Sequence, residues 1–204
     1  MVEFLFSQYG EYATVDIVLE IIAVLFGLIS VFFALKNNIL VYPTGLVSTI
    51  IYVYLLNKWG LIGDMLINGY YTTMSIYGWF LWTRKNDNQV EYPISWANKK
   101  EWINTFVIFI VTILFVILIY HFFDKFNDWT AYVDTFTTGI FFVGMWLMAK
   151  RKIENWIFWI VGDFVSVPLY FYKGFTFSSL QFLIFTIVAI FGYLEWKRIL
   201  QQKI

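Results

Sequence analysis

Long apolar stretches, separated by short polar breaks, dominate the pattern along the chain. A stretch of about 20 mostly apolar residues is long enough to cross a membrane as an α-helix. The breaks are rich in lysine, asparagine and glycine, as in KNN at 36–38 and NKWG at 57–60. The pattern predicts seven spanning helices, over residues 17–35, 39–57, 62–82, 102–122, 131–149, 154–172 and 176–196.

The second half of the chain repeats the pattern of the first. When the sequence is shifted by 114 residues without a gap, residues 59–84 align with residues 173–198. Glycine, tryptophan and arginine positions coincide in this alignment, and such residues match by chance less often than apolar ones do. Repeated halves of this kind build many membrane proteins. The coinciding pairs include Gly60 with Gly174, Gly78 with Gly192, Trp82 with Trp196 and Arg84 with Arg198.

Seven helices and a two-copy repeat predict one organisation of the chain. Helices one to three form one unit, helices five to seven form the other, and helix four joins them. Because an odd number of helices separates the units, both cross the membrane in the same direction. We therefore predict an all-α integral membrane protein with two parallel three-helix repeats and a linker helix, a 3+1+3 plan. Its parts are an extracytoplasmic amino-terminal segment at 1–16, the first repeat at 17–82, a cytoplasmic loop with linker helix four at 83–130, the second repeat at 131–198 and a cytoplasmic tail at 199–204.

The composition agrees with a membrane environment. Hydrophobic residues make up 60% of the chain and aromatic residues 23%, which is more apolar surface than a soluble domain of this size could bury. The formal net charge is zero, so no nucleic acid partner is expected. The chain has no cysteine and one histidine, which excludes disulfides, thiolate metal sites and CxxC redox chemistry. We expect neither a metal nor a cofactor.

The basic residues lie mainly on one side of the predicted membrane. Eleven of the fourteen lysine and arginine residues fall in loops one, three and five or in the carboxyl-terminal tail. Because basic loops stay in the cytoplasm, the carboxyl terminus is predicted to be cytoplasmic and the amino terminus outside. The first residues of the chain carry no positive charge, which is not typical of a cleavable signal peptide.

Polar side chains recur on one face of the sixth predicted helix. Trp156, Trp159, Asp163, Ser166 and Tyr170 are spaced by three and four residues, so they stack along one side of a helix. A carboxylate in mid-membrane is costly unless it meets a partner. Such residues line a cavity or the bundle interior. The candidate binding residues are Trp156, Trp159, Asp163, Asn68, Gln181 and either Tyr71 or Thr72.

Asp163 lies at the centre of its predicted helix, and no lysine or arginine lies well inside any predicted span. Four interpretations remain open: a protonated acid hydrogen-bonded to a neighbouring helix, a carboxylate in a wet cavity, a carboxylate that awaits a cationic ligand, or a residue that only bridges helices. The nearby tryptophans favour the cationic ligand, because indole faces attract cations.

The predicted hinge positions are Pro168, inside helix six, and Gly78 and Gly192, near the inner helix ends.

Two short segments carry a resemblance to a known family. Ser75–Trp79 (SIYGW) with Trp82, together with Glu154–Trp159 (ENWIFW), resembles the PnuC family of vitamin transporters, and the likeness extends over about residues 17–198. The resemblance implies a SWEET-like fold, usually as a homo-oligomer with a trimer as one form, in a bacterial cytoplasmic membrane. It also implies uptake of nicotinamide riboside by facilitated diffusion, with a cytosolic kinase that phosphorylates and so traps the product.

By that resemblance Trp156 and Trp159 form the WxxW pair of the family, and Asn68 stands where members often carry an amide. Asp163 departs from the family, which commonly has an amide four residues after the second tryptophan. A carboxylate there favours a small cationic vitamin and makes thiamine the alternative substrate, since an aminopyrimidine donates hydrogen bonds.

The lipid bilayer is the other expected partner. With no basic residue inside the helices to bind a phosphate, a nucleoside is favoured over a nucleotide.

Two other classes of function compete with transport. An intramembrane enzyme would need a nucleophile, a metal or a paired acid and base, and Asp64, Asp134 and Asp163 form no recognisable catalytic motif. A purely structural or receptor-like protein would have no reason for a polar face in both halves of the chain. We therefore expect a transporter and not an enzyme.

Overall fold

Seven long helices follow one another in the computed structural model of the protein. The structure describes residues 13–60, 62–86, 89–90, 92–124, 126, 128–173 and 176–202. The number and order of the helices in these residues agree with the sequence prediction. They are α1 (Thr14–Leu35), α2 (Val41–Lys58), α3 (Ile62–Thr83), α4 (Lys99–Phe122), α5 (Thr130–Ala149), α6 (Asn155–Tyr172) and α7 (Thr176–Gln201).

The helix ends depart from the predicted spans where polar residues begin a helix. α4 begins at Lys99, three residues before its predicted apolar start. The Asn98 side chain accepts a hydrogen bond from the Glu101 main-chain N–H at 2.9 Å, and the Glu101 carboxylate accepts one from the Asn98 N–H at 2.9 Å. This reciprocal cap stabilises a first turn that apolar periodicity cannot detect.

The connection between α3 and α4 contains more structure than the predicted loop. A two-residue strand β1 (Lys85–Asn86) pairs antiparallel with β2 (Gln89–Val90). Further along, both carboxylate oxygens of Glu154 accept hydrogen bonds from the Ala97 main-chain N–H, at 2.9 and 3.1 Å. Lys152 donates to the Ser95 hydroxyl at 2.9 Å. These bonds dock the connection onto the turn between α5 and α6.

The helices pack in a closed order around the interior. α1 packs on α2, α2 on α3, α3 on α5, α5 on α6, α6 on α7, and α7 returns to α1, while α4 packs outside this ring against α5. The division into repeats at 17–82 and 131–198 stays a prediction, which this packing order supports. The first twelve residues of the predicted segment 1–16 lie outside the described residues, as do Gly174 and the last two residues of the tail.

Contacts between side chains recur at the 114-residue spacing found in the sequence. The Tyr42 ring meets the Trp82 ring edge-on, with centroids 5.0 Å apart and an interplanar angle of 87°. The aligned pair, Trp156 and Trp196, has the same arrangement at 5.6 Å and 89°. Two further contacts, Gly27 with Ser48 and Ser30 with Gly45, align with Phe141 against Gly162 and Gly144 against Trp159. These matched contacts are what two copies of one three-helix unit would produce.

Four of the helices are long and apolar enough to cross a membrane by length and composition alone. They are α1, α4, α5 and residues Ser178–Gln201 of α7. α5 differs from the others because most of its residues are buried between its neighbours. In contrast, α4 exposes long apolar side chains along most of its length, as expected of a helix that faces lipid.

We name the two ends of the bundle by their charge. The basic end holds the turns at residues 36–40 and 150–154, the connection from α3 to α4, and the end of α7. The opposite end holds the start of α1, the turn between α2 and α3, and the turns before α5 and α7. The candidate site lies between these ends.

Candidate functional site

Asp163 is buried in the interior of the bundle, with 3% of its surface exposed. It lies at the middle of α6, near enough to the Tyr71 hydroxyl on α3 for the two groups to influence each other electrostatically. Ion pairs among the described residues include Lys58 with Asp16, Lys152 with Glu101, Lys173 with Asp134 and Arg198 with Glu195. Asp163 belongs to none of them. A carboxyl group in such a place requires a hydrogen-bond donor or a cationic partner to be stable as an anion.

Aromatic rings from three helices surround this part of α6. Trp159 stacks on Phe141 of α5, with centroids 5.5 Å apart and 28° between the planes. Phe141 in turn stacks on Phe182 of α7 at 6.1 Å and 9°. On its other side, Trp159 meets Tyr71 at 6.5 Å and 51°. The structure therefore brings Trp159, Asp163 and Tyr71 together, and their role in binding stays a prediction.

Trp156 has a different environment from Trp159, although both belong to the WxxW segment. It lies in the first turn of α6 at the basic end, with 2% of its surface exposed. Its ring packs over Gly192, where an added Cβ would come within 2.6 Å of the indole. In this conformation Trp156 packs against α7, and Trp159 is the tryptophan that lies near Asp163.

Of the two alternatives on α3, Tyr71 lies toward Asp163 and Thr72 toward α2. The Thr72 hydroxyl is 2.9 Å from the Thr49 hydroxyl and 2.9 Å from the Asn68 carbonyl oxygen. The Asn68 amide donates to the Asp64 carbonyl oxygen of its own helix at 3.0 Å. Gln181 is half-buried on α7, beside the Phe182 of the aromatic stack. No described hydrogen bond joins Asn68, Thr72 or Gln181 to Asp163.

Several residues near Asp163 could not be recognised from the sequence. Phe141, Phe142 and Phe182 belong to a chain with 23 phenylalanines, so none stands out. Tyr70 is similar: its ring stacks on Phe142 at 3.8 Å and 7°, and its hydroxyl donates to the Phe142 carbonyl oxygen at 2.9 Å. Only the neighbour of Asp163, Gly162, gives a hint, because its missing side chain makes room for the Phe141 ring.

The other two acids named in the sequence analysis, Asp64 and Asp134, lie at the opposite end. Asp134 forms an ion pair with Lys173, and Asp64, which is exposed, interacts electrostatically with both. Lys58 pairs with Asp16 at 2.6 Å at the same end. Two carboxylates and a lysine thus lie close together at this end, where Asp134 is paired with Lys173.

The predicted hinge residues have contrasting environments. Pro168 is exposed, and α6 continues through it from Asn155 to Tyr172. Gly78 and Gly192 are buried, and the rings of Tyr42 and Trp156 leave no space for a Cβ at either position. The two glycines therefore serve close packing at the basic end.

Two cavities in the described part of the chain border α4 and lie away from Asp163. The larger, of about 440 Å³, is lined by Ile113, Ile117, Phe126, Tyr132, Thr135 and Phe136, between α4 and α5. The smaller also borders α4. A cavity around Asp163 stays a prediction. Among the described residues, no group of three or more side chains is placed to hold a metal ion.

Known membrane transporters resemble the chain in sequence. The family model described as nicotinamide mononucleotide transporter matches residues 17–198. The nicotinamide riboside transporter PnuC of Escherichia coli K12 is 22% identical over 205 residues, covering 87% of this chain and 84% of that protein. The riboflavin/roseoflavin transporter RibM of Streptomyces davaonensis is 25% identical over 128 residues, covering 60% of this chain and 58% of that protein.

A solved structure shares the fold. The crystal structure of the vitamin B3 transporter PnuC matches with a TM-score of 0.68 and 21% identity, over 98% of this chain and 90% of that chain. The predicted all-helical membrane fold and the resemblance to PnuC proteins are confirmed. These relatives are transporters, so the expectation that the chain is not an enzyme is confirmed as well.

Proposed function

The chain belongs to the nicotinamide mononucleotide transporter family, and on that basis we propose that it takes up nicotinamide riboside across the bacterial cytoplasmic membrane. The single observation that supports this substrate most directly is the buried carboxyl group of Asp163, beside the rings of Tyr71 and Trp159. The nicotinamide ring of the riboside is flat and positively charged. A flat cation satisfies the carboxylate and stacks on indole at the same time.

The nucleoside suits this region better than the nucleotide. A phosphate in a membrane interior requires arginine or lysine as a partner. The lysine and arginine side chains that form described ion pairs lie at the two ends of the bundle. Arg151 is buried, yet it too lies at the basic end, in the turn between α5 and α6. A phosphate next to Asp163 would meet a like charge instead.

Uptake proceeds by uniport in this proposal. The basic end faces the cytoplasm, with the carboxyl terminus inside and the amino terminus outside. The substrate enters past Asp64 and Asp134, lies with its ring against Trp159, and is held by Asp163 with Asn68 and Gln181. The two three-helix repeats, called triplets below, then rock against each other and release the substrate at the basic end. A cytosolic kinase traps the product, so uptake follows the gradient. The protein acts as a homo-oligomer.

Thiamine is the second candidate, and Asp163 is the observation that favours it. Thiamine is a cation, and its aminopyrimidine donates hydrogen bonds that a carboxylate accepts better than an amide does. Riboflavin, which one of the relatives carries by name, is a larger and neutral ring system. It gives the carboxylate no charge to pair with, so we place it behind both cations.

Uptake into proteoliposomes tests the proposal. The purified protein is reconstituted, and initial uptake of labelled nicotinamide riboside, thiamine, riboflavin and nicotinamide mononucleotide is compared with empty vesicles. The account expects nicotinamide riboside to be taken up fastest and without an imposed ion gradient. Faster thiamine uptake would select the second candidate. Uptake that depends on a proton gradient would overturn the uniport mechanism, and uptake of the mononucleotide alone would overturn the choice of substrate.

A further inference from the structure

Two tryptophans at the basic end each donate a hydrogen bond from one half of the protein to the other. The Trp82 indole N–H, near the end of α3, donates to the Ala149 carbonyl oxygen at the end of α5, at 3.1 Å. The Trp196 indole N–H, on α7, donates to the Ala34 carbonyl oxygen near the end of α1, at 3.0 Å. The two donors align at the 114-residue spacing. The bonds are therefore reciprocal across the two predicted repeats.

Both bonds are shielded from solvent and end on helix carbonyls. Trp82 is 4% exposed and Trp196 is 0% exposed. Ala149 ends α5, where the last carbonyls lack partners within the helix, and the Ala34 carbonyl also accepts from the Asn37 N–H at 2.9 Å. Just beyond each acceptor the chain turns sharply, with positive φ angles of 49° at Asn37 and 53° at Arg151. These two turn residues align at the repeat spacing, and the acceptors are offset by one position, since Ala34 lies three residues before Asn37 and Ala149 lies two residues before Arg151.

A row of four rings fills the space between the two bonds. The Trp82 and Trp196 rings have centroids 6.1 Å apart, and Tyr42 and Trp156 meet them edge-on from the outer sides. Gly78 and Gly192 allow Tyr42 and Trp156 to approach α3 and α7 closely. The row thus crosses from the first triplet to the second at the basic end. A substrate cannot leave at this end while the rings remain in contact.

Arg151 fixes one side of this row. Its guanidinium lies over the Trp82 ring, 3.9 Å from the centroid, and donates to the Tyr92 carbonyl oxygen at 3.0 Å. Burial lowers the pKa of Arg151 to about 10, so the group keeps its positive charge at neutral pH. A cation over an indole face is attracted by the ring. Arg151 therefore positions Trp82 for its hydrogen bond.

We propose that the indole hydrogen bonds from Trp82 to Ala149 and from Trp196 to Ala34 form the gate of the basic end, which must open for any substrate to be released there. Separation of the triplets breaks both bonds at once, because each has its donor in one half and its acceptor in the other. The closed form also leaves the Tyr42 hydroxyl and the Trp156 indole N–H buried without a hydrogen-bond partner among the described residues. Opening would hydrate both, which partly offsets the loss of the gate bonds.

The proposal does not depend on which vitamin is carried, and its test needs no substrate. The chain has no cysteine, so Lys36→Cys with Lys150→Cys introduces the only thiols, at aligned positions in the two basic-end turns. Spin labels on these thiols report the distance between the halves in lipid nanodiscs. Trp82→Phe and Trp196→Phe keep an aromatic ring, although a smaller one, and remove the N–H donors. Each is expected to raise the ratio of the longer to the shorter distance by about fivefold, and the double variant by more.

Trp129→Phe is the matched control, because Trp129 is an exposed tryptophan at the opposite end. It should leave the distance distribution of the parent unchanged. If both gate variants elute as folded protein and show the same distance distribution as the parent, the proposal is overturned. Should the gate variants fail to fold, a bifunctional reagent that joins the two cysteines in the parent background gives the answer. Cross-linking should abolish uptake but retain binding from the opposite end, and unaltered uptake after cross-linking would reject the gate.

Discussion

The Tyr71 ring on α3 lies 6.5 Å from the Trp159 ring on α6, at an angle of 51°. One ring belongs to the first three helices and the other to the last three, so the aromatic environment of Asp163 comes from both halves. Asp163 is close enough to the Tyr71 hydroxyl for the two groups to influence each other electrostatically. A tyrosine hydroxyl both donates and accepts hydrogen bonds, so at this position it is available to a ligand next to Asp163.

We predict that Tyr71→Phe weakens substrate binding by about fivefold to tenfold, because the ring remains and one hydrogen-bonding group is lost. Tyr77→Phe is the control, since Tyr77 is an exposed tyrosine on the same helix. Tryptophan fluorescence titration measures both. Equal affinities for Tyr71→Phe and the parent protein would exclude the hydroxyl from the binding site.

The close packing at the basic end predicts that alanine destabilises the protein at the packed glycines but not at a helical glycine with free space around it. In Gly192→Ala the new Cβ would come within 2.6 Å of the Trp156 ring, so the variant should lose roughly 1–3 kcal/mol of stability. Gly78→Ala should behave alike because Tyr42 occupies the corresponding place. Thermal unfolding in detergent measures the loss as a lower Tm.

Gly69→Ala provides the matched control for those two variants. Gly69 lies within α3, and nothing within 4 Å would meet its Cβ. Alanine is the better helix former by about 1 kcal/mol, so this variant should unfold at the parent temperature or above it. A similar loss of Tm in all three variants would show that the rings do not determine the effect.

The docking of the α3–α4 connection predicts a role for Glu154 in stability. Both of its carboxylate oxygens accept from the Ala97 N–H, and the residue is buried. Glu154→Gln keeps one acceptor and adds an amide that lacks a matching partner, so we expect a lower Tm and faster proteolysis near residues 92–98. Glu195→Gln is the control, because the Glu195 pair with Arg198 lies on the surface. Parent-like proteolysis of Glu154→Gln would contradict the docking role.

The sequence predicted the helices well because their signal is local. A run of about 20 apolar residues identifies a spanning helix without any knowledge of its neighbours. The spacing of 114 residues is equally visible, and the aligned contacts of Tyr42 with Trp82 and of Trp156 with Trp196 follow it. The start of α4 was missed because the Asn98 cap is polar and lies outside the apolar run.

The candidate site could be predicted only in part, because its composition depends on how each helix is rotated about its own axis. Asp163 stood out as a single acid in an apolar helix, whereas Tyr71 and Thr72 are neighbours that the sequence could not separate. The structure separates them through the Thr72 contact with Thr49 on α2. Phe141 gave no signal, because its position depends on the space left by Gly162 on another helix. Tertiary packing, and not residue type, determines both results.

The most direct test of the central claim compares two ligands that are similar in size and shape and differ in charge. Nicotinamide riboside is a cation, and its reduced form is a neutral ring of nearly the same shape. Their dissociation constants are measured for the parent protein, for Asp163→Asn and for Asp128→Asn, an exposed control at the opposite end. We predict that Asp163→Asn weakens binding of the cation by about 10- to 100-fold and that of the neutral form by much less, since a charge-assisted contact contributes roughly 1.5–3 kcal/mol. An equal loss for both ligands, or none for either, would contradict a carboxylate that selects a flat cation.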